Sequence, residues 1–267
     1  MDLLTHICSG IAAASVVVPF TEKAKAPIFK ILAAGSLGGA LPDIDAISMW
    51  SHFDSTIGSL FGLTHSGRTI YGAKFWYSHH AFFHSIVAAL TIILLANITG
   101  YIIHKVKYKK KGYLFLKYLN LKYPLIIAFF MGYMFHLLGD MPTPASVWGG
   151  IDLFWPSHTY IGGSGKIWWW NNYDIFLLLI LCIIINCIIL FFFRKRIRRV
   201  CVSLTTFFIF ILILVQINTR QYDYSYKGNT TRYSEMEQHS KEEQKRILGK
   251  HLYSYMDWLD KHIPIHF

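Results

Sequence analysis

Six apolar runs dominate the pattern of hydrophobic and polar positions along the 267-residue chain. The third, fifth and sixth runs approach the ~20 residues that a helix needs to cross a bilayer core. The first, second and fourth are shorter and are expected to tilt or to sink inside the bundle. The pattern predicts an all-α fold: a polytopic transmembrane bundle of about six membrane helices within residues 1–217. The runs cover roughly residues 4–19, 28–41, 81–103, 125–139, 175–193 and 200–217.

The remaining residues, 218–267, form a polar C-terminal tail outside the membrane. Apolar residues recur there at helical spacing from residue 234, which predicts an amphipathic helix within a partly helical tail. We expect this helix to pack over the functional site or along the membrane surface. The loop 141–174 carries five tryptophans, which favour the membrane interface, so it is expected to lie along that interface.

Composition narrows the class of protein further. The chain is 54% hydrophobic and only 15% charged, which is too apolar for an ordinary soluble domain. Its net charge of +11 could suggest a nucleic-acid partner. However, the basic residues lie in short loops between the apolar runs, which is typical of membrane topology and argues against nucleic acid.

The loops predict an orientation if all six runs cross the membrane. The segments 20–30, 104–124 and 194–199 then lie on one side and carry 15 of the 26 Lys and Arg residues, including Lys23, Lys25, Lys110 and Lys111. The positive-inside rule makes that side cytoplasmic. Nearly all His and Asp residues fall on the opposite side, facing the periplasm. The basic residues there, outside the tail, are Arg68, Lys74 and Lys166, and each could hold a phosphate or anchor the interface.

Several His and Asp clusters are predicted to meet at this opposite face. His136 and Asp140 are spaced i,i+4, so on a helix they share one face and could bind one cation. Imidazole and carboxylate are the ligands of Zn²⁺ and Mn²⁺ in hydrolytic sites. The number of candidates exceeds what one tetrahedral ion needs, which favours two metals or one metal with orienting groups. The candidates are His6, Asp43, Asp45, His79, His80, His84, His136, Asp140 and His158.

Each cluster also has an interpretation without metal. His6 at a helix start could be an interfacial residue, and Asp43 after a proline could cap the next segment. The adjacent histidines could form a surface pair. His136 and Asp140 could simply satisfy each other by a hydrogen bond. Their shared side of the membrane is what favours the metal hypothesis.

These motifs, in this order, resemble a known family. They are Thr5-His6, the segment Gly38–Asp45 (GGALPDID), the histidines up to His84-Ser85, His136-x-x-x-Asp140 with Thr143, and Trp155-Pro156. Over roughly residues 1–190 the chain resembles the YdjM-like bacterial inner-membrane metal-dependent hydrolases. The resemblance implies a multi-pass inner-membrane hydrolase with a metal site likened to that of zinc-dependent phospholipases C. His80 stands where the family pattern has Arg, and Phe83 stands where it has Thr.

Together these observations predict a membrane-bound metallohydrolase acting on a phospholipid or another lipid-linked phosphoester, with membrane lipids around it. One or two zinc ions are expected, with manganese as the alternative. Asp45 is expected to be a ligand or a general base, and His80 to contact substrate or orient another group. The predicted metal ligands are His6, Asp43, Asp45, His79, His84, His136 and Asp140.

Two other classes of function remain open. Intramembrane His and Asp also mark ion pathways, so the same cluster could serve a metal-ion or proton transporter or channel. A pathway predicts ionisable groups that continue towards the cytoplasm, and the inner halves of the runs carry almost none. A metal that only clamps the helix ends would make a structural membrane protein, with metal-dependent stability and no turnover.

Overall fold

The computed structural model describes residues 1–21, 26–109 and 114–262, which are mostly helical. Lys23, Lys25, Lys110 and Lys111 of the predicted basic loops lie outside these residues. Three short non-α segments, Pro42–Met49, Asp54–Gly58 and Phe82–His84, shape the loops near the site described below. The α-helices are α1 (Leu3–Val17), α2 (Ile28–Ala40), α3 (Gly67–Tyr71), α4 (Ile86–Lys107), α5 (Phe115–Asp140), α6 (Tyr173–Phe192), α7 (Lys195–Asn218) and α8 (Tyr233–His262).

The predicted transmembrane bundle is confirmed, with two corrections to its short runs. Within the described ranges, five helical segments are long and apolar enough to cross a membrane: Leu3–Phe20, α4, α5, α6 and α7. The first run is therefore a full 18-residue segment. The fourth is a 26-residue helix that begins at Phe115, because its polar start around Lys117 and Pro124 still continues as helix. Only α2, with 13 residues, stays shorter than a full span.

Glycines set how closely α1, α2 and α5 pack. A Cβ atom built on Gly132 of α5 would lie 2.1 Å from the carbonyl oxygen of Gly35 in α2. One built on Gly10 of α1 would lie 2.2 Å from the same oxygen. Such contacts leave no room for a side chain, which is the packing that small residues allow between membrane helices. The three helices therefore form a tight unit, and the residues near their ends are held in fixed register.

The helices run antiparallel and gather their starts and ends at two ends of the bundle. One end, here called the site end, collects the starts of α1, α4 and α6 and the ends of α2, α5 and α7. At the other end, Arg199 Nε donates to the Pro19 carbonyl oxygen over 3.1 Å, which joins the segment after α1 to the start of α7. The described basic loops thus lie opposite the His and Asp clusters, as the sequence predicts.

The C-terminal tail folds back across the site end. Arg220 pairs with Asp174 of α6 at 2.9 Å, and the Tyr224 amide donates to the Gly165 carbonyl at 2.9 Å. Helix α8 then packs on α6, where the Gln244 amide nitrogen donates to Asp174 over 3.0 Å. The helix is interrupted at Gly249, whose positive φ of 73° breaks it into two parts. The helix therefore packs against the start of α6 at the site end, and its first residue, Tyr233, lines the cavity described below.

Two tryptophans of the loop 141–174 lie inside the protein, which corrects the expectation for their side chains. Trp168 is fully buried, and it packs against Tyr224 and Met236 of the tail. Trp148 is also buried and donates its indole N–H to the Tyr71 carbonyl over 2.9 Å. The aromatic rings form a layer between the bundle and the tail, because the tail supplies apolar partners that a sequence pattern does not reveal.

The buried Arg220–Asp174 pair is expected to hold the tail in place. Arg220→Met keeps side-chain volume but leaves the Asp174 carboxylate without its cation, and breaking a buried pair costs about 3–5 kcal/mol. We expect much faster proteinase K cleavage in residues 219–232 of the detergent-purified variant. The matched control is Arg232→Met, because the exposed Arg232–Glu235 pair contributes only about 0–1 kcal/mol. Equal cleavage rates in the two variants would contradict this role.

Candidate metal centre

Four separate helix ends bring the predicted ligands together at the site end. His6 lies in the first turn of α1, and His136 and Asp140 occupy the last turns of α5. Asp43 enters from the 3₁₀ segment after α2, and His84 from the one before α4. All except Asp43 are almost completely buried, so the cluster lies inside the protein and not on its surface.

Four side-chain atoms converge on one point. The Nε2 atoms of His84 and His136 are 3.3 Å apart, and each lies 3.6 Å from Asp43 Oδ1. Asp140 Oδ2 lies 3.0 Å from His136 Nε2 and 3.5 Å from His84 Nε2. These five distances are five of the six edges of a tetrahedron. Two imidazole nitrogens and two carboxylate oxygens therefore face a common centre.

The size of this tetrahedron suits a zinc ion. Zinc bonds to imidazole nitrogen and carboxylate oxygen are ~2.0–2.2 Å long, and in tetrahedral geometry the ligand atoms are then about 3.3–3.6 Å apart. Four of the five observed edges, at 3.3–3.6 Å, match that spacing, and the edge between His136 and Asp140 is shorter, at 3.0 Å. A protein without a cation gains little from crowding two carboxylates and two imidazoles in a buried space. The donor set and its geometry fit one tetrahedral ion.

Both imidazoles are oriented by a partner on their other nitrogen. His136 Nδ1 lies 2.7 Å from the Gly39 carbonyl oxygen, and His84 Nδ1 lies 3.2 Å from Asp45 Oδ2. A proton on Nδ1 satisfies these partners and leaves the Nε2 lone pair for the centre. Carboxylate and carbonyl partners of this kind are usual behind metal-bound histidines.

Asp45 lies outside the four-atom set, although it is among the predicted ligands. Its second oxygen, Oδ1, lies 2.6 Å from His79 Nδ1, so its two oxygens serve two histidines. His6 forms another group of possible ligand atoms with His136 and Asp140, which lie within 4.8 Å of one another. Its Nε2 lies 3.0 Å from Asp140 Oδ1, and its ring stacks on His136 at 3.7 Å between centroids. The N-terminal nitrogen of Met1 approaches the same Asp140 oxygen at 2.6 Å.

His79 and His80 form a second group beside the centre. Together with His84 they can each offer one nitrogen within 4.8 Å of the others. His79 Nδ1 is taken by Asp45, and His80 Nδ1 lies 3.0 Å from the Gly150 carbonyl, so both Nε2 atoms remain for another partner. His80 adopts a left-handed backbone, φ 65°, which turns its ring under Trp148. This pair lines the cavity over the centre.

Neighbouring charges shift the pKa values of the clustered His and Asp residues. Burial works against the charged form of His84, but Asp45 and Asp43 outweigh it and raise its pKa to about 10. Burial likewise opposes ionisation of Asp45, yet His79 and His84 hold the pKa of that carboxyl below its usual value. For His80, burial and the neighbouring His79 lower the pKa well below that of a free imidazole. The carboxylates around His84 thus favour a positive charge at this place, and the protonated His84 ring carries it when no ion is bound.

A cavity of about 860 Å³ lies over the centre. Asp43, Asp140 and Arg68 are among the residues that line it. Of the other basic residues predicted to hold a phosphate, Lys74 lies over the Tyr160 ring, and Lys166 lines a different cleft. His158 is exposed, 3.8 Å from Asp152, and stays outside the centre.

Three neighbours of the candidate site escaped the sequence analysis. Tyr71 stacks on His79 at 4.6 Å, and Trp148 lies 5.1 Å from the same ring. Tyr133 donates its hydroxyl to the Phe83 carbonyl and so fixes the segment that carries His84. A spacing rule does not find them, because they come from loops and helix faces far apart in the chain. Of the three, only Tyr133 could have been found from the sequence, because it lies one helical turn before His136.

The chain belongs to the YdjM inner membrane protein family, whose model matches residues 1–222. It is therefore a multi-pass inner-membrane protein, and the resemblance noted in its motifs extends past residue 190 to the end of α7. Neither the curated proteins nor the solved structures contain a match to the chain. The family description names a location and no reaction, so the chemistry has to be argued from the site.

Proposed function

We propose that this protein is a membrane metallohydrolase that cleaves a phosphoester, with one zinc ion held by His84, His136, Asp43 and Asp140. The observation that supports the proposal most directly is the four-atom tetrahedron with edges of 3.0–3.6 Å. Two aspartates and two histidines are hard and borderline ligands, suited to zinc and also acceptable to manganese. His79 and His80 offer a place for a second ion or for the substrate.

The ion would supply a water of lowered pKa and polarise a phosphoryl oxygen. The chain's own residues do the rest. Asp45 keeps the protons of His84 and His79 on Nδ1, so that their Nε2 atoms face inward. His80, fixed by the Gly150 carbonyl, presents Nε2 to the cavity and can exchange a proton with substrate. Arg68 in the cavity wall supplies positive charge for an anionic group.

Asp45 is assigned an orienting role, and Asp45→Asn tests it. The asparagine side chain has the same size as aspartate, but it has only one acceptor oxygen and no negative charge. It can therefore no longer accept hydrogen bonds from both His79 and His84. Loss of such a partner lowers metal affinity about 10–100-fold. We expect the variant to bind zinc in a competition titration against a chelating dye, with that loss of affinity and an unchanged fold. Unchanged affinity would rule out the orienting role.

A one-sided site supports a hydrolase over an ion pathway. Farther from the site end, the described helices bury neutral polar groups, which pair with each other. Asn186 donates to Ser15 over 2.8 Å and to Thr206 over 2.9 Å. A proton or metal route would instead need ionisable groups along the bundle. The cavity, by contrast, opens beside the centre and is large enough for a substrate headgroup.

Turnover of a soluble phosphodiester tests the proposal. The detergent-purified protein, loaded with one equivalent of zinc, is incubated with bis(4-nitrophenyl) phosphate, and release of nitrophenolate is followed. The wild type is expected to turn over the ester and to lose this activity on treatment with a chelator. His136→Ala serves as the inactive reference. Equal rates for the two proteins, or no turnover with either zinc or manganese, would overturn the hydrolase.

The proposal places the site at the periplasmic face, on the strength of the basic loops at the opposite end. Cysteines are introduced singly at Ser59, an exposed position at the site end, and at Arg196, an exposed position at the basic end. Native cysteines are replaced first. We expect a membrane-impermeant maleimide to label Ser59→Cys in intact cells and Arg196→Cys only after lysis. The reverse pattern would move the site to the cytoplasm.

A further inference from the structure

An apolar cleft runs beside the candidate metal centre between α5 and α7. Helices α5 and α7 approach each other through Phe135 and Phe210, whose rings are 5.9 Å apart, while α1 and α6 form the floor. The cleft has a volume of about 480 Å³. Phe210, Ile213, Leu214 and Ile217 follow one another at helical spacing along its α7 wall. None of these residues takes part in the proposed chemistry.

The depth of the cleft corresponds to one leaflet. Its α7 wall extends from Asn218 at the site end to Thr206, twelve residues away, which is about 18 Å at 1.5 Å per residue. Half of a bilayer core is about 15 Å. At the deep end, Thr206 accepts a hydrogen bond from Asn186, so a polar contact closes the cleft there. A transmembrane helix of a partner would need a groove along the whole span and about 10–12 Å of width.

The shallow end of the cleft meets both a positive charge and the metal centre. Among the described residues that line the cleft, Lys166 has the one charged side chain. Met1 lines both this cleft and the cavity over the centre. Gly139, in the cleft wall, directly precedes the ligand Asp140, and a Cβ atom there would lie 3.1 Å from the His6 ring. One layer of side chains therefore separates the cleft from the cluster.

We infer that the cleft binds one hydrocarbon chain of the substrate, so that the protein acts on a phosphate ester of a long-chain lipid. Apolar walls of one-leaflet depth fit the chain, and the ammonium group of Lys166 at the mouth complements an anionic headgroup. The headgroup of a lipid held in this way lies beside the cavity that contains Arg68 and the metal ligands. This inference rests on the proposed hydrolase for the reaction, but lipid binding can be measured separately.

The test uses a phosphatidylglycerol with a photoreactive diazirine midway along one acyl chain, mixed with the purified full-length protein in lipid nanodiscs. After illumination, labelled residues are located by mass spectrometry. In the wild type, we expect more photolabel on Ile213 and Ile217, which line the cleft, than on Leu212, which faces outward. Leu214→Trp fills the cleft, so we expect this variant to lose the extra label on the cleft residues. Leu212→Trp, a substitution at a similarly exposed position of the same helix, keeps it.

Two activity measurements separate this inference from the hydrolase proposal. The first is the rate of phosphatidylglycerol hydrolysis divided by the rate of bis(4-nitrophenyl) phosphate hydrolysis. We expect this ratio to fall in Leu214→Trp and to stay at the wild-type value in Leu212→Trp. Soluble-ester turnover without excess labelling in the cleft overturns the inference and leaves the hydrolase standing. Excess labelling without turnover of either ester supports the chain-binding cleft and rejects the hydrolase. Loss of lipid labelling there because a second copy of the chain covers the cleft also overturns the inference.

Discussion

His84→Ala is expected to remove zinc from the purified protein and to abolish metal-dependent turnover. His84 Nε2 forms three of the five measured edges of the tetrahedron, and its Nδ1 connects the centre to Asp45. Loss of a mere orienting partner lowers metal affinity about 10–100-fold, so loss of a ligand is expected to exceed about 100-fold. Metal content by mass spectrometry should drop from one equivalent to background.

His158→Ala is the matched control for this experiment. His158 comes from the same end of the bundle, but its side chain is exposed and lies outside the centre. The control should retain wild-type zinc and turnover. A circular-dichroism spectrum and a monodisperse elution peak show whether His84→Ala still folds. Retention of one equivalent of zinc in a folded His84→Ala protein would reject the proposed ligand set.

Gly132→Ala is expected to have the largest effect on stability. The added Cβ would lie 2.1 Å from the Gly35 carbonyl oxygen, so α2 and α5 must separate by about 1 Å to restore contact distance. Overpacking of this kind costs about 3 kcal/mol. Separation of these helices also moves Asp43, which follows α2, away from His136 on α5. Both the thermal midpoint in detergent and the zinc affinity should therefore fall.

Gly72→Ala provides the comparison, because the nearest atoms to a Cβ there are 3.8 Å away and its backbone is not left-handed. Its thermal midpoint, measured by loss of the monodisperse peak after heating, should stay within the experimental scatter of the wild type. A destabilisation of Gly132→Ala below about 0.5 kcal/mol, the range of ordinary surface substitutions, would show that the helices can part without cost.

The length of α5 shows how sequence patterns mislead at a membrane boundary. The apolar run beginning at residue 125 predicted a short helix, yet α5 starts at Phe115. Lysines and a proline interrupt the hydropathy of its first turns, but a helix can continue beyond the apolar core, where water or headgroups accept its polar side chains. Hydropathy marks the part of a helix in lipid, and hydrogen bonding decides where the helix begins.

Asp43 and Asp45 show the same limit within the site. The sequence predicted both carboxylates as metal ligands, with a role as general base as the alternative for Asp45. The segment Pro42–Met49 is a 3₁₀ helix, in which residues two apart point in directions about 120° apart. Asp43 therefore reaches the tetrahedron, while Asp45 turns towards His79 and His84. The motif shows which residue types are present, but the local helix geometry decides which of the two carboxylates points to the centre.

The sequence by itself determined the class of fold, the end of the bundle that carries the candidate site, and the set of His and Asp residues gathered there. It could do so because hydrophobicity decides which segments cross a membrane, and counting the crossings assigns each helix end to a side. Only the tertiary structure decided which four atoms share one centre, which residues orient them, and that an apolar cleft lies beside them. Those features depend on the close approach of α1, α2 and α5 at their glycines and on the folding of the tail over the site end, contacts between segments far apart in the chain.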